Sequence, residues 1–287
     1  MLILQSINPA TKIAKQLARF AVEALLEEVR LSPKPGLVDS YNNGCHHDLT
    51  LELMEKSAIS LYITFYEMAI ASIEKEPSQY LREQLAAIGR YGEQKMLEVT
   101  GQVNTHKGAI WTLGLLTGAA GMLLSHKTAK NVTLNALLSA AGAIAGFEDR
   151  FMPVHQTNGT KVRKRYPVRS AREEAIACFP ALQQIAFPAW KKYNDEPEDI
   201  RTLNVLLALM AVTDDTCILN RSDMDVLHEM QHRAQDILNK GGLGLIANQE
   251  AYLLLDGYIT THWISPGGSA DLLAATIFLQ KILHHKI

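Results

Sequence analysis

Apolar residues recur along this chain at spacings of three and four, the period of an α-helix, and the alternation typical of strands is nearly absent. Asn8 followed by Pro9 is a favourable helix start, because asparagine caps free N–H groups and proline fits the first turn. We expect that helix to end before Ser32-Pro33. A second apolar stripe, from Leu51 to Met68, predicts one helix of about five turns.

The same period predicts further helices. They cover residues 78–98, 107–126, 131–149, 170–186, 197–218, 222–239, 248–261 and 269–284. Two connections are long, Ser32 to Asp48 and Phe151 to Arg169, and long irregular loops in a compact helical protein are often functional. No internal repeat or low-complexity linker interrupts the pattern. The sequence therefore predicts an all-α protein with a single domain over residues 1–287, a bundle of about ten helices.

Composition narrows the class of protein. The 287 residues include 28 Lys and Arg against 30 Asp and Glu, so no broad basic field favours nucleic acid or acidic membranes. Three cysteines, Cys45, Cys178 and Cys217, form no zinc spacing and no disulfide framework, which is typical of a reducing compartment. The most apolar stretch, Ala109 to Leu124, is too short to span a bilayer and predicts a buried core helix. We therefore expect a soluble, cytoplasmic protein that binds neither nucleic acid nor membrane.

The segment around the first long loop carries candidate chemistry. Lys34 lies between two prolines, and Asp39 and Asp48 bracket a loop rich in hydrogen-bonding side chains. Glu28 continues the apolar stripe of the first helix, so it is expected to point inward, where a carboxylate needs a cation, a proton or a ligand. The alternative is an ordinary surface loop with a glutamate at a frayed helix end.

Two predicted helix starts suit an anion. Asn104 to Gly108 precedes the most apolar helix, and Gly267-Gly268-Ser269 opens the last one. Free N–H groups and the positive end of the helix dipole favour phosphate at such positions, and Lys107 adds a charge. The alternative is simple capping by Asn104 or Ser269.

Two further segments complete the candidates. Asp214 follows the apolar stripe of helix 197–218 and is expected on its buried face beside Asp215, where the pair could bind Mg²⁺ or supply a general base. Six cations between Lys161 and Arg172 could clamp a polyphosphate. Solvated aspartates at a helix end and a solvated charge run are the alternatives. Together these segments suit a nucleotide polyphosphate held with a divalent metal.

Four segments resemble the triphosphoribosyl-dephospho-CoA synthase family. They are Leu31 to Asp39, Val103 to Ile110, Asp214 to Thr216 and Ser265 to Leu273, in family order along the chain. The resemblance implies an all-α fold and a reaction between ATP and 3′-dephospho-CoA, in which the 2′-hydroxyl attacks the anomeric carbon of ATP's ribose and adenine leaves. It also implies that the product passes to a phosphoribosyl-dephospho-CoA transferase acting on an acyl carrier protein of citrate lyase or malonate decarboxylase. The sequence leaves a homodimer open.

Our hypothesis assigns roles to these residues without ranking the carboxylates as bases. Catalytic candidates are Asp39, Asp214 and Asp215, and the candidate Mg²⁺ ligands are Glu28, Asp39, Asp214 and Asp215. Candidates for substrate binding are Lys34, Asn104, His106, Lys107, Arg172, Gly267, Gly268, Ser269 and Asp271.

The chain departs from the family pattern at Cys217, at Arg221 to Asp223, at Ser170 to Glu173 and within Gly44 to Asp48. Some of these departures replace glycine, which removes access to positive φ and close backbone approach to a ligand. We expect them to affect the acceptor-side pocket or the rate more than the fold. Two alternatives stay open: a diverged member that acts on another nucleotide, and a nucleotide-binding protein without catalysis.

Overall fold

A computed structural model of the chain describes residues 8–125, 132–153 and 157–285. These residues form helices and connecting segments without any strand, which confirms the predicted all-α class. The α-helices are α1 Pro9–Arg30, α2 Leu51–Ser60, α3 Tyr62–Ser72, α4 Gln79–Val99, α5 Lys107–Ser125, α6 Leu134–Gly146, α7 Asn158–Arg165, α8 Ala171–Ile176, α9 Phe187–Lys192, α10 Glu198–Met210, α11 Thr216–Arg221, α12 Met224–Asn239, α13 Gln249–Thr261 and α14 Gly267–His284. A π-helix, Ala181–Ala186, precedes α9, and a 3₁₀-helix, Ile246–Asn248, precedes α13. The single-domain organisation stays a prediction.

Two helices, α5 and α14, occupy the core because neighbours enclose them. α5 packs against α1, α3, α4, α6 and α14, and α14 also packs against α1, α10 and α11. By length and composition alone α5, with 19 residues, could cross a membrane, so the prediction that this stretch is too short to do so is wrong. However, 72% of its apolar window is buried inside the protein. A helix that is apolar on all sides is typical of such a core. The predicted buried core helix is therefore confirmed, and the amino-terminal ends of α5 and α14 are fixed by packing.

The first helix and the loop after it follow the prediction. Asn8 Oδ1 accepts a hydrogen bond from the N–H of Ala10 at 3.0 Å, and α1 ends at Arg30, before Ser32-Pro33. No helix interrupts residues 31–50, as expected for the first long loop. Glu28 lies on the buried face of α1, so the apolar stripe predicted its orientation correctly.

Two predicted helices are broken in the structure. The stripe from Leu51 to Met68 divides at Leu61, because the side chain of Ser60 bonds the carbonyl of Ser57 and the turn tightens there. The helix predicted over 170–186 stops at Ile176. Phe179 precedes a proline, which disfavours the helical conformation, and its φ is +53°. The π-helix then begins beyond Pro180.

The helix predicted over 197–218 also divides, and this changes the environment of the two aspartates. α10 ends at Met210, and Asp215 is the N-cap of the separate helix α11. Asp214 is therefore outside any helix and exposed, so the prediction that it lies on a buried helix face is wrong. The second long segment, Phe151 to Arg169, was predicted to be irregular, but it contains the helix α7, which Thr157 caps. The predicted helix ends at 126 and 131 lie outside the described residues.

Candidate active site

The end of α1 and the following loop hold a buried ion pair. Lys34 Nζ lies 2.5 Å from Glu28 Oε1 and 2.6 Å from the carbonyl oxygen of Glu28. The exposed fraction is 3% for Lys34 and 5% for Glu28. A cation is thus the partner of the inward-pointing carboxylate, and Lys34 has little surface left for a ligand.

Asp39 stabilises the same loop. Its Oδ2 accepts a hydrogen bond from the backbone N–H of Lys34 at 2.8 Å, and its Oδ1 accepts from Tyr41 at 2.7 Å and Asn42 at 3.0 Å. Asp39 is buried. Since both carboxylate oxygens already bond backbone donors, Asp39 is placed to shape the loop.

Helix α13 fixes the loop from the other side, through residues that the sequence analysis missed. The hydroxyl of Tyr252 donates to the carbonyl of Pro33 at 2.6 Å, and the N–H of Gly36 donates to Asp256. Gly36 has a φ of +66°, and a Cβ there would lie 2.7 Å from the carbonyl oxygen of Ile264. The spacing of four between Tyr252 and Asp256, on one face of α13, is the signal that could have revealed them.

Asp215 joins two helix starts. Its Oδ1 accepts from the N–H of Cys217 in α11 at 2.9 Å, and its Oδ2 accepts from the N–H of Ser269 in α14 at 3.0 Å. The hydroxyl of Ser269 adds a contact at 3.3 Å. A Cβ on Gly268 would lie 3.1 Å from the same carboxylate, so glycine permits this close packing. Burial raises the pKa of Asp215, and the backbone donors oppose that rise.

Asp271 repeats this arrangement at the start of α5. The N–H of Ala109 donates to its carboxylate, and a Cβ added to Gly108 would collide with that carboxylate. Desolvation raises the pKa of Asp271 well above its ordinary value, and the negative charges of Glu28 and Asp215 raise it further. We call Glu28, Asp215 and Asp271 the acidic cluster. Of the three, Asp271 is the one that is partly exposed.

This geometry corrects the expected role of the helix starts. The N–H groups of Ala109 and Ser269 were expected to be free for phosphate, but the carboxylates of Asp271 and Asp215 already accept from them. The negative partner that the helix dipoles favour is therefore supplied by the protein itself. A phosphate could bind these N–H groups only by displacing the carboxylate of Asp271 or Asp215.

His106 lies next to the acidic cluster in a buried position. Its Nδ1 is 2.8 Å from the hydroxyl of Ser57, which is also 2.6 Å from the hydroxyl of Thr105. Its Nε2 has no hydrogen-bond partner among the described residues. Burial lowers the pKa of His106 to about 4, and the charge of Lys34 lowers it further. A neutral ring is a poor phosphate ligand, and Ser57 was not predicted at all.

The remaining predicted substrate residues lie nearer the surface. Asn104 Oδ1 accepts from the N–H of Lys107 at 3.3 Å, which is the simple capping alternative. The ammonium of Lys107 pairs with Glu93, and its side chain remains 41% exposed. Gly267 lies at the start of α14, where a Cβ would be 3.0 Å from Cys217 Sγ.

Two predicted residues are placed outside the acidic cluster. Asp214 Oδ2 accepts from the backbone N–H of Arg169 at 3.3 Å and faces solvent. Arg172 donates to the carbonyls of Gly146 and Phe147 at 3.3 and 3.4 Å, at the end of α6. The structure therefore separates Asp214 from Asp215, although the two are adjacent in sequence.

The predicted metal ligands do not converge. Asp39 bonds backbone N–H groups, Glu28 bonds Lys34, and Asp214 is at the surface. Among the described residues, no group of three or more His, Cys, Asp or Glu side chains is arranged to hold a metal ion. These four carboxylates therefore do not fit a common protein-made magnesium site.

Comparison with known proteins identifies the family. The model of the family described as ATP:dephospho-CoA triphosphoribosyl transferase matches residues 14–287. The chain belongs to this family. A probable 2-(5′′-triphosphoribosyl)-3′-dephosphocoenzyme-A synthase of Pseudomonas fluorescens is 44% identical over 278 residues, covering 96% of this chain and 94% of that protein. The synthase of Klebsiella pneumoniae is 42% identical, covering 93% and 94%.

A third relative, a probable synthase of Azotobacter vinelandii, is 41% identical and covers 96% of this chain and 94% of its own length. No solved structure gives a match. The resemblance predicted from four short segments is confirmed over nearly the whole chain, because these relatives align along more than nine-tenths of it.

Proposed function

We propose that this chain transfers the triphosphoribosyl group of ATP to the 2′-hydroxyl of 3′-dephospho-CoA and releases adenine. The observation that supports this most is the meeting of the family segments at one place. Each of the four family segments supplies one residue to this place: Lys34, His106, Asp215 and Asp271. Lys34 pairs with Glu28, and its charge acts on His106. The charges of Glu28 and Asp215 act on Asp271. Membership in the family over residues 14–287 gives the reaction.

The reaction sets clear requirements for the site. Transfer of a ribosyl group passes through an oxocarbenium-like state, so negative charge beside the anomeric carbon stabilises it. A carboxylate must take the proton of the attacking hydroxyl, and the departing adenine benefits from a proton donor. The acidic cluster, in which Glu28 pairs with Lys34, provides both the negative charge and the carboxyl groups that can accept or donate a proton.

Among these carboxyl groups, Asp271 is best placed to meet the ribose. It is partly exposed, whereas the exposed fractions of Glu28 and Asp215 are only 5% and 1%. Gly108, which packs directly against the Asp271 carboxylate, is itself partly exposed. In this arrangement Asp215 orients α14 and supplies negative charge without contacting the ribose itself. Asp39 fixes the conformation of the loop that carries Lys34.

The triphosphate requires exposed cations. Lys34 is enclosed by its contacts with Glu28, so Lys107 at the start of α5 is the more accessible candidate for a phosphate contact. The N–H groups of Ala109 and Ser269 at the helix starts are already bonded to Asp271 and Asp215, which favours phosphate binding through side-chain charge. Asn104, Gly267 and Gly268 then line the approach.

Magnesium is part of the proposal as a companion of the substrate. Because the four predicted ligands do not converge, Mg²⁺ is expected to arrive bound to the triphosphate of ATP. Transfer of the product to a phosphoribosyl-dephospho-CoA transferase and a cytoplasmic location complete the proposal.

One assay tests the reaction. Purified protein is incubated with ATP, Mg²⁺ and 3′-dephospho-CoA, and free adenine is followed by chromatography. We expect adenine only when 3′-dephospho-CoA is present. Adenine release without it would indicate a diverged activity on another acceptor, and ATP binding without any adenine would indicate a non-catalytic protein.

Variants of the paired aspartates refine the same assay. Asp215→Asn is expected to slow adenine release by about 100-fold or more, because it removes a charge behind the ribose. Asp214→Asn changes an exposed carboxylate and is expected to retain most of the activity. Undiminished release in both folded variants would remove this pair from the chemistry.

A further inference from the structure

Two loops are joined at the surface by Arg221, the last residue of α11. Its Nη1 donates to the carbonyl of Cys45 at 2.7 Å and contacts that of Trp263 at 3.5 Å. Its Nη2 lies 3.2 Å from His46 Nδ1, and His46 Nε2 lies 2.9 Å from the hydroxyl of Ser265. Since guanidinium only donates, Nδ1 accepts and Nε2 donates to Ser265. These hydrogen bonds thus join the loops of residues 44–48 and 262–266 to each other.

An exposed aromatic pair lies on these joined loops. The rings of His47 and Trp263 are stacked, with centroids 4.5 Å apart and planes at 24°. Trp263 is 42% exposed and has a φ of +51°. Positive φ is rare for a bulky residue and is found where surrounding contacts impose an orientation. We call His47 and Trp263 the aromatic platform.

The platform lies one short helix away from the acidic cluster. Asp215 caps the beginning of α11, Arg221 ends it, and six residues of α-helix span about 9 Å. The pKa of the Cys217 thiol, in the first turn of α11, is raised mainly by desolvation. The charges of Asp215 and Asp271 raise it further, and that of Arg221 lowers it. Helix α11 therefore connects the acidic cluster at its first end to the loops that carry the platform at its last end.

We infer that the aromatic platform binds the adenine ring of a nucleotide substrate by stacking, with the attached ribose extending along α11 towards Asp271. The placement of the ribose rests on the proposed function. An aromatic face binds a base because every base has a flat π-surface, and such stacking changes affinity by about 5- to 150-fold per base. ATP and 3′-dephospho-CoA both carry adenine, so the chemistry is shared and experiment distinguishes the two sources.

Tryptophan fluorescence gives a test that is independent of turnover. The chain has three tryptophans, and Trp263 is the one on the platform. ATP and 3′-dephospho-CoA are titrated separately, with tripolyphosphate and 4′-phosphopantetheine as probes that lack the base. We expect quenching by the nucleotide whose adenine stacks and none by its base-free probe. The quenching should disappear in Trp263→Leu and persist in Trp190→Phe, a control packed against Arg201.

Kinetics of the same variants identify the nucleotide. Trp263→Leu and His47→Ala should raise KM for one nucleotide by about 5- to 150-fold, and Trp263→Phe, which keeps an aromatic ring, should restore most of it. Unchanged quenching and unchanged KM for both nucleotides in Trp263→Leu would overturn the inference. If that variant does not fold, His47→Ala decides in the same way.

The inference and the proposed function can fail separately. Base-specific quenching without adenine release would support the platform and contradict the transferase. Adenine release with no effect of either platform substitution would support the transferase and contradict the platform.

Discussion

The acidic cluster and the basic segment of residues 161–172 are both rich in charged side chains, but the fold places them in different environments. In the cluster, Asp215 and Asp271 are bonded to backbone N–H groups, and Glu28 is bonded to Lys34 inside the protein. In the basic segment, Arg163 pairs with Glu173 at 3.4 Å while both side chains stay about half exposed. Charges removed from water must be compensated, whereas exposed pairs are screened and exchange readily with water.

Because of this difference, substitutions in the two regions should change the free energy of unfolding by different amounts. Removing one partner of a buried pair leaves an uncompensated charge, so large effects are expected in the cluster. The exposed pairs of the basic segment, such as Arg163 with Glu173, should tolerate the same kind of change.

Lys34→Met should have the largest effect, a loss of about 3–5 kcal/mol in the free energy of unfolding, because the Glu28 carboxylate stays buried without its cation. Urea denaturation measures it, and Lys161→Met, at an exposed position of the basic segment, is the matched control. Similar small losses in both variants would show that the ion pair is dispensable.

Asp215→Ala should destabilise the protein by about 2–3 kcal/mol, because the starts of α11 and α14 each lose their cap. Asp214→Ala, one residue earlier and exposed, should change the free energy of unfolding by less than about 0.5 kcal/mol. Equal effects of the two substitutions in thermal or urea unfolding would contradict the double capping.

His106 should make stability depend on pH. Its folded pKa of about 4 lies below the ordinary histidine value of 6.5, so its contribution to stability is fully present above pH 6.5 and is lost as the pH falls through about 4. The loss should reach about 3 kcal/mol at the low end. The free energy of unfolding is measured by urea denaturation between about pH 4 and about pH 7. His106→Gln should remove this part of its pH dependence, whereas His232→Gln, at the surface, should not. A wild-type profile retained by His106→Gln would exclude the buried neutral ring as its cause.

Arg163→Ala should have the smallest effect, within about 0.5 kcal/mol, because its pair with Glu173 is exposed. The difference between variant and wild type should shrink further at high salt. A loss above about 1 kcal/mol that persists in salt would mean that the basic segment is a structural element like the cluster.

The sequence predicted what local patterns determine. The inward direction of Glu28 follows from the helical period of α1, and the irregular loop after it follows from Pro33 and Pro35. The apolar composition of residues 109–124 also placed α5 in the core. These elements are specified by neighbouring residues, so they could be predicted without knowledge of the tertiary structure.

Residues that depend on distant partners were predicted less well. In the sequence, Asp214 continues the apolar stripe of α10. In the structure, Asp215 caps a new helix, so Asp214 lies in the exposed connection between α10 and α11. The helix starts suggested phosphate because nothing in the local sequence shows that Asp215 and Asp271 bond them from elsewhere. Ser57 was missed because its partner, His106, is 49 positions away.

The shared attachment of α11 and α14 to one carboxylate has an evolutionary consequence. A lineage that no longer needs the reaction still loses folding stability when Asp215 mutates, so selection on the fold preserves this aspartate after selection on turnover has ended. Descendants that have become inactive are therefore expected to keep Asp215 and to diverge first at exposed positions such as Lys107. The presence of this aspartate alone is accordingly poor evidence that a distant relative is still an enzyme.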